Sequence, residues 1–192
     1  MLSLHDIEAL FARHGGNQYS GEPVTQLQHA LQTAHFAEQS GADDELVTGC
    51  LLHDLGHLLN DQGRGFNDTP SLRGIDDTHQ YFALPFLRGL FPDAVLDSIK
   101  LHVDAKRCLC QANPGYLAKL SEDSKRSLAL QGGVFSAEQA AAFLAQSGAR
   151  NAVMLRQWDD LAKQADLVTP PLAHFLARAA RCALGRRAAT AN

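Results

Sequence analysis

The chain has 192 residues, of which 45% are hydrophobic, and a formal net charge of -4 at pH 7. This length and apolar content predict one globular domain over 1–185, followed by a frayed C-terminal tail at 186–192. The acidic balance argues against a nucleic-acid partner or an anionic membrane surface, and no apolar run reaches the roughly 20 residues of a membrane span. We therefore expect a cytoplasmic protein with a small-molecule partner.

Apolar residues recur at helical spacing almost throughout the chain, which predicts an all-α fold. In chain order, helices are expected near 3–14, 23–40, 43–60, 72–89, 92–108, 114–130 (broken), 136–146, 149–166 and 170–184. Asp43 and Asp44 are the expected N-cap candidates of the helix over 43–60, and Ser136 with Gln139 has the pattern of a capping box. The two longest loops, 15–23 and 60–74, are rich in glycine and polar residues, as functional loops often are.

The chain has four cysteines: Cys50, Cys108, Cys110 and Cys182. Cys50 falls inside an apolar helix, and the spacing in "CLC" is too tight for the CxxC of a zinc site. We therefore expect reduced thiols, as in most cytoplasmic proteins.

The stretch "LLHDLGHLL" at 51–59 puts polar residues on a helix face that faces the core. Asp54 shares its face with four apolar residues: Val47, Cys50, Leu51 and Leu58. His53 also points inward, and His57 lies one turn beyond it. A buried carboxylate costs several kcal/mol unless it is paired or bound to a metal. A metal site explains this cluster, and a hydrogen-bonded His–Asp pair in the core is the alternative.

His79, His102 and Asp159 pass the same test of lying on an apolar helix stripe. His29 gives a weaker signal, because it shares its face with Phe36 but also with Thr25 and Thr33. Asp160, next to Asp159, falls on the polar side and is interpreted as a solvated charge. The remaining histidines, His5, His14, His35 and His174, are assigned to caps, surface or core packing. Six inward ligands suit two metals that share one carboxylate, for which Asp54 is the best candidate. Imidazole with carboxylate is compatible with iron, manganese or zinc.

The order His29, His53-Asp54, His79, His102 and Asp159 resembles the HD-domain superfamily, most of whose members are phosphohydrolases. Four stretches resemble a smaller branch, the phosphonate-degrading oxygenases of the PhnZ type: "QYSGEPVTQLQH", "LLHDLGH", "HVDAKRCLC" and "SLALQGGVFSAEQAAAF…LRQWDDLAK". The HD pair alone is weakly specific, whereas Tyr-x-x-Glu, His-x-x-x-Lys and Trp-Asp-Asp together are strong. The resemblance implies a single-domain helical bundle of the HD type.

Carried over by position, the resemblance implies two iron ions in a mixed-valent pair. One iron would bind His29, His53, Asp54 and Asp159, and the second would bind Asp54, His79 and His102. In the family, the tyrosine matching Tyr19 occupies an iron position at rest, and the glutamate matching Glu22 receives the amino end of the substrate. His57 and Lys106 match the residues that hold the phosphonate group.

The implied activity is cleavage of a carbon–phosphorus bond with dioxygen. The substrate would be a 1-hydroxyalkylphosphonate such as 2-amino-1-hydroxyethylphosphonate, and the products inorganic phosphate and a carboxylate such as glycine. Arg64, Asn67 and Asp68 of loop 60–74 are expected near the substituent end of the substrate. The alternatives are a metal-dependent HD phosphohydrolase acting on a small phosphomonoester or nucleotide, and a signalling module with a degenerate metal site.

Overall fold

A computed structural model of the chain describes residues 1–19, 21–60 and 70–187. The helices in these ranges are α1 Leu4–His14, α2 Gln26–Gln39, α3 Asp44–Leu52, α4 Leu55–Asn60, α5 His79–Phe82, α6 Leu84–Leu87, α7 Asp93–Ala112, α8 Pro114–Lys119, α9 Glu122–Leu130, α10 Ala137–Leu144, α11 Ala149–Leu161, α12 Leu172–Cys182 and α13 Leu184–Arg187. A 3₁₀ turn spans Ser71–Arg73. Arg64, Asn67 and Asp68, with 188–192 of the predicted tail, lie outside the described residues.

The predicted all-α fold is confirmed, since the described ranges contain helices and two isolated bridges but no strand. The apolar helix α3 lies at the centre and packs against α2, α7 and α12, while α11 packs along α7. The core around α3 includes Val47, Leu51, Leu52, Ile99, Leu155 and Phe175. Burial of each leucine contributes roughly 1.5–3 kcal/mol, so this core can offset the cost of a polar cluster placed within it.

The four cysteines are free and buried, in agreement with the prediction of reduced thiols. Among the described helices, none combines the length and apolar character needed to cross a bilayer. Cytoplasmic location therefore stays a prediction.

The helix caps were predictable where a polar side chain precedes an apolar run. Asp43 accepts the Leu46 backbone N–H at 2.8 Å, and Ser136 with Gln139 forms the expected capping box. A further capping box, formed by Thr25 and Gln28, begins α2 at Gln26 and not at 23 as predicted. The N-cap residue, Thr25, lies four residues before His29 and fixes where α2 begins.

The single helix predicted over 43–60 is wrong, because the chain turns at His53 and Asp54 between α3 and α4. His53 Nδ1 donates to the Cys50 carbonyl oxygen at 2.8 Å, a side-chain bond that competes with the helical backbone bond to this carbonyl. Both polar residues therefore lie at a helix junction inside the core.

The helix predicted over 72–89 is also wrong. The segment breaks into the 3₁₀ turn, α5 and α6, and Thr78 before α5 adopts a left-handed conformation with φ of 48°. Asp76 accepts the Thr78 N–H at 3.2 Å, so a short acidic loop ends where α5 begins. This loop sets His79 at the first position of α5.

The helix predicted over 149–166 ends at Leu161. The side-chain amide of Gln32 makes two hydrogen bonds to the backbone of Gln164. It donates to the Gln164 carbonyl oxygen at 2.7 Å and accepts the Gln164 N–H at 3.0 Å. The Ala162 carbonyl oxygen likewise accepts a hydrogen bond from His29 Nδ1 at 2.9 Å. Contacts with α2 therefore replace the last helical turn.

Gly56 lets α4 approach α5 closely enough to place His79. A Cβ at Gly56 would lie 2.1 Å from the His79 carbonyl oxygen and 2.9 Å from its Cα. We expect Gly56→Ala to lower the free energy of unfolding by about 1–3 kcal/mol, as overpacking of a core does, because backbone must move.

Denaturant unfolding measures this effect. Gly16→Ala is the matched control, since a Cβ there would meet nothing within 4 Å. Equal stability of the two variants would show that α4 and α5 separate without cost.

Candidate metal centre

Six side chains from different parts of the chain converge in the core: His29 on α2, His53 and Asp54 at the α3–α4 junction, His79 on α5, His102 on α7 and Asp159 on α11. Their exposed fractions are 0%, 0%, 7%, 8%, 2% and 1%. The predicted burial of all six is therefore confirmed. They are also the residues predicted from sequence as ligands.

The six residues form two groups of three. His29, His53 and Asp159 form one group, and Asp54, His79 and His102 form the other. Within each group, one potential ligand atom per residue lies within 4.8 Å of the others. Each group therefore has the size of a single metal site.

Asp54 lies between the two groups. Its Oδ2 is 3.6 Å from His29 Nε2 and 3.4 Å from His53 Nε2. Its Oδ1 is 3.4 Å from His79 Nε2 and 3.7 Å from His102 Nε2. One carboxylate thus presents a different oxygen to each histidine pair, which is the arrangement that a bridging ligand needs.

Each of the four histidines has its Nδ1 fixed by an acceptor. Three of these acceptors are backbone carbonyls, those of Ala162, Cys50 and Ile99, at 2.7–2.9 Å. The fourth is Asp77 Oδ1, 2.8 Å from His79 Nδ1. Because these atoms only accept, the proton of each neutral ring is on Nδ1, and Nε2 is the atom free to bind a metal.

The Nε2 atoms then face one another in pairs, 3.2 Å apart for His29 and His53 and 3.1 Å apart for His79 and His102. Two lone pairs at this distance repel unless a proton or a cation lies between them. Asp54 Oδ2 and Asp159 Oδ1 are also buried without a hydrogen-bond partner. These orphaned acceptors fit bound metal ions, and a donor set of imidazole and carboxylate is compatible with iron, manganese or zinc.

The pKa shifts of Asp54 and His102 agree with this interpretation, whereas the Asp54 carboxylate raises the pKa of His53 against the effect of burial. Burial opposes ionisation of Asp54, yet the surrounding His53, His57 and His79 hold its pKa well below the ordinary value. Burial, together with His79 and His53, lowers the pKa of His102 well below its usual range. An ionised carboxylate and a neutral imidazole are the forms that bind metals.

Asp159 is oriented by Arg156, whose Nη1 lies 2.8 Å from its Oδ2. Although burial opposes ionisation, Arg156 holds the pKa of Asp159 well below its ordinary value. Arg156 also pairs with Asp160, which accepts from the Tyr116 hydroxyl. The interpretation of Asp160 as a solvated charge is therefore wrong: it helps to hold the arginine that positions Asp159.

Tyr19 and Lys106 line a pocket that Asp54, His79, His102 and Asp159 also line. The Tyr19 ring stacks on His29 with centroids 3.8 Å apart. Burial, and then the Asp54 and Asp159 carboxylates, raise the pKa of the Tyr19 phenol well above its ordinary value. Its hydroxyl is therefore protonated in this arrangement.

Lys106 is only 3% exposed, and its Nζ donates to Ser127 Oγ at 2.8 Å. Burial and the nearby Arg156 lower the pKa of Lys106 to about 7. A buried amine of this kind gains from an anion in the pocket, because the anion favours its charged form.

His57 lines the same pocket and is bound by Asp77, with its Nδ1 2.8 Å from Asp77 Oδ2. Against the effect of burial, Asp77 raises the pKa of His57 to about 9. His57 therefore adds a cation to the pocket, which Lys106 and Arg156 also line.

Glu22, predicted to bind substrate, forms an ion pair with a lysine. Its Oε1 lies 2.9 Å from Lys163 Nζ, and it is not among the residues that line the pocket. Lys163 and Asp77 were not identified from the sequence. Asp77 carries no signal there, because it lies in the segment wrongly predicted as a helix.

Asp77 accepts from both His57 Nδ1 and His79 Nδ1, each at 2.8 Å. We expect Asp77→Asn to lower metal affinity or kcat/KM by about 10–100-fold, as loss of partners to metal-binding histidines does. An asparagine has one acceptor oxygen and so satisfies only one of the two rings. Metal analysis and steady-state kinetics measure the effect.

Asp43→Asn is the control, because it removes the same charge at an exposed helix cap that asparagine serves equally well. Wild-type metal content together with wild-type kinetics in Asp77→Asn would remove this carboxylate from the site.

Comparison with known proteins agrees with the geometry. The chain is 39% identical over 173 residues to the 1-hydroxy-2-(trimethylamino)ethyl phosphonate dioxygenase (glycine-betaine-forming) of Leisingera caerulea, covering 88% of this chain and 84% of that protein. It is 40% identical over 173 residues to the hydroxymethylphosphonate dioxygenase of Gimesia maris, covering 90% of this chain and 84% of the relative. The resemblance to phosphonate-degrading oxygenases is thereby confirmed. Residues 27–129 match the HD domain, and the chain belongs to the HD domain family.

Proposed function

We propose that this protein is a metal-dependent dioxygenase that cleaves the carbon–phosphorus bond of a 1-hydroxyalkylphosphonate. The observation that carries the proposal is the position of Asp54 between two histidine pairs, beside a pocket that contains buried Lys106. Two relatives that align over most of the chain are named as phosphonate dioxygenases. Together these findings support both the metal chemistry and the substrate class.

The proposed cofactor is a pair of iron ions. His29, His53, Asp54 and Asp159 would hold one iron, and Asp54, His79 and His102 the other. When bound, the irons supply the redox chemistry by which dioxygen is activated and C1 is oxidised. With only three protein ligands, the second iron would leave room for the hydroxyl and a phosphonate oxygen of the substrate.

Lys106 and His57 would bind the phosphonate oxygens. Both line the pocket. The pKa of His57 is raised to about 9, and an anion in the pocket would favour the charged form of Lys106. Their charges offset the negative charge of the phosphonate and fix the C1–H bond near the metal pair. Tyr19, which stacks on His29 at the edge of the same pocket, would cover the site at rest and withdraw for substrate.

The proposed reaction balances with one dioxygen per substrate. The C1–P bond and the C1–H bond break, C1 is oxidised to a carboxylate and dioxygen is reduced, with both oxygen atoms retained in the products. The products are inorganic phosphate and a carboxylate, which is glycine for 2-amino-1-hydroxyethylphosphonate.

Phosphate release by iron-loaded protein tests the proposal. With hydroxymethylphosphonate and its 2-substituted analogues, we expect one phosphate per dioxygen consumed and no release under anaerobic conditions. A phosphomonoester serves as the control substrate and should release none. Release that continues without oxygen, or from the phosphomonoester, would instead support the HD phosphohydrolase.

A further inference from the structure

The guanidinium of Arg156 has a partner at each of its three nitrogens. Nη1 lies 2.8 Å from Asp159 Oδ2, Nη2 pairs with Asp160, and Nε donates to the Tyr116 hydroxyl at 3.3 Å. Arg156 is only 5% exposed, so a partner that is lost leaves a buried donor unsatisfied. The orientation of this arginine is therefore set by three other side chains.

Tyr116 lies outside α11, the helix that carries Arg156, Asp159 and Asp160. Its hydroxyl donates to Asp160 and accepts from Arg156 Nε. Burial raises the pKa of the Tyr116 phenol above its ordinary value, so the hydroxyl keeps the proton that it donates. The ring packs against an apolar cluster formed by Cys110, Leu120 and Leu128. A ring held by apolar packing thus presents one hydroxyl to both members of the Arg156–Asp160 pair.

The two oxygens of Asp159 have different surroundings. Oδ2 lies 2.8 Å from Arg156 Nη1 and 3.9 Å from His53 Nε2. Oδ1 lies 3.4 Å from His29 Nε2 and is buried without a hydrogen-bond partner. A charge-assisted bond to the planar guanidinium fixes the carboxylate in direction as well as in distance. If the guanidinium turns, Oδ2 follows Nη1 and Oδ1 turns away from His29.

We propose that Tyr116 is a positioning residue for one of the two metal ions: through Arg156 it keeps Asp159 Oδ1 directed toward His29. This inference rests on the metal pair of the proposed function. Tyr116 is not among the residues that line the pocket, so it acts on the site through Arg156 alone. Among the described residues, the ion pairs of Arg156 go to Asp159 and Asp160 and not to the second ligand group. Its effect therefore falls on the first metal ion.

Stepwise removal of iron from reduced, iron-loaded protein by a ferrous chelator, without oxygen, tests this inference. The wild type should release two ions per chain. Tyr116→Phe keeps the ring but removes the hydroxyl. It should weaken the binding of one ion by about tenfold, within the range for partners of metal ligands, and leave the other unchanged. A hydroxyl that only stabilised the fold would not separate the two ions in this way.

Tyr81→Phe is the matched control. It removes the same group from a side chain that is 46% exposed, and it should leave the binding of both ions unchanged. Asp160→Asn is a second variant, since it removes the charge that pairs with Arg156 and should weaken the same ion as Tyr116→Phe. The two changes combined should weaken that ion by less than the product of their separate effects, because both act through one arginine.

Unchanged binding of both ions in Tyr116→Phe, or equal weakening of both, would overturn the inference. If Tyr116→Phe does not fold, unchanged binding in Asp160→Asn would overturn it, because the hydroxyl acts on this pair. Fewer than two ions in the wild type would contradict the proposed metal pair, and the inference with it. Two bound ions without phosphonate cleavage would end the proposed reaction, while the chelator result would still decide the role of Tyr116.

Discussion

The structure depends on one constraint: an ionised carboxylate, Asp54, lies inside a helical core. Its exposed fraction is 7%, and isolation of such a charge from water costs several kcal/mol. Histidines surround it on both sides, and each keeps its own orientation through a bond at Nδ1. Metal ions between these groups would turn this cost into binding energy, because they satisfy the facing Nε2 atoms and the orphaned carboxylate oxygens together.

The irregular parts of the fold follow from this cluster. The helices are interrupted at His53–Asp54, before His79 and after Leu161. At each of these places the Nδ1 atom of a site histidine hydrogen-bonds a carbonyl or carboxylate oxygen that a continuous helix would bond itself or leave to solvent. Regular helices supply the core and carry His29, His102 and Asp159, whereas the junctions place His53, Asp54 and His79. The same division explains why Gly56 lies where α4 meets the backbone of His79.

The sequence predicted the fold class, two caps and the burial of the six ligand candidates, because these depend largely on local sequence patterns. Asp159 is an instance: its stripe of Ala152, Leu155 and Ala162 is indeed buried. His79 is buried for a different reason. The apolar residues at helical spacing from it, Ile75, Phe82 and Phe86, are 50%, 39% and 37% exposed. Its position comes from the acidic loop and the approach of α4, which are tertiary contacts.

Residues that form hydrogen bonds or ion pairs with the predicted site residues could not be predicted from periodicity in the same way. Asp77 meets His57, and Lys163 meets Glu22, across the fold. Asp77 and His79 are only two residues apart, but they lie where the chain is not a regular helix, so helical periodicity does not mark the pair. Arg156 is three residues from Asp159 and was within reach of a helical-spacing argument. The expectation for Glu22 came from resemblance alone, which carries no information about Lys163.

The most direct test of the account is anomalous X-ray diffraction at the iron edge from crystals of iron-loaded protein. The account predicts two iron peaks per chain, one on each side of Asp54, with both of its oxygens bound. A single peak, or two irons that do not share Asp54, would contradict it.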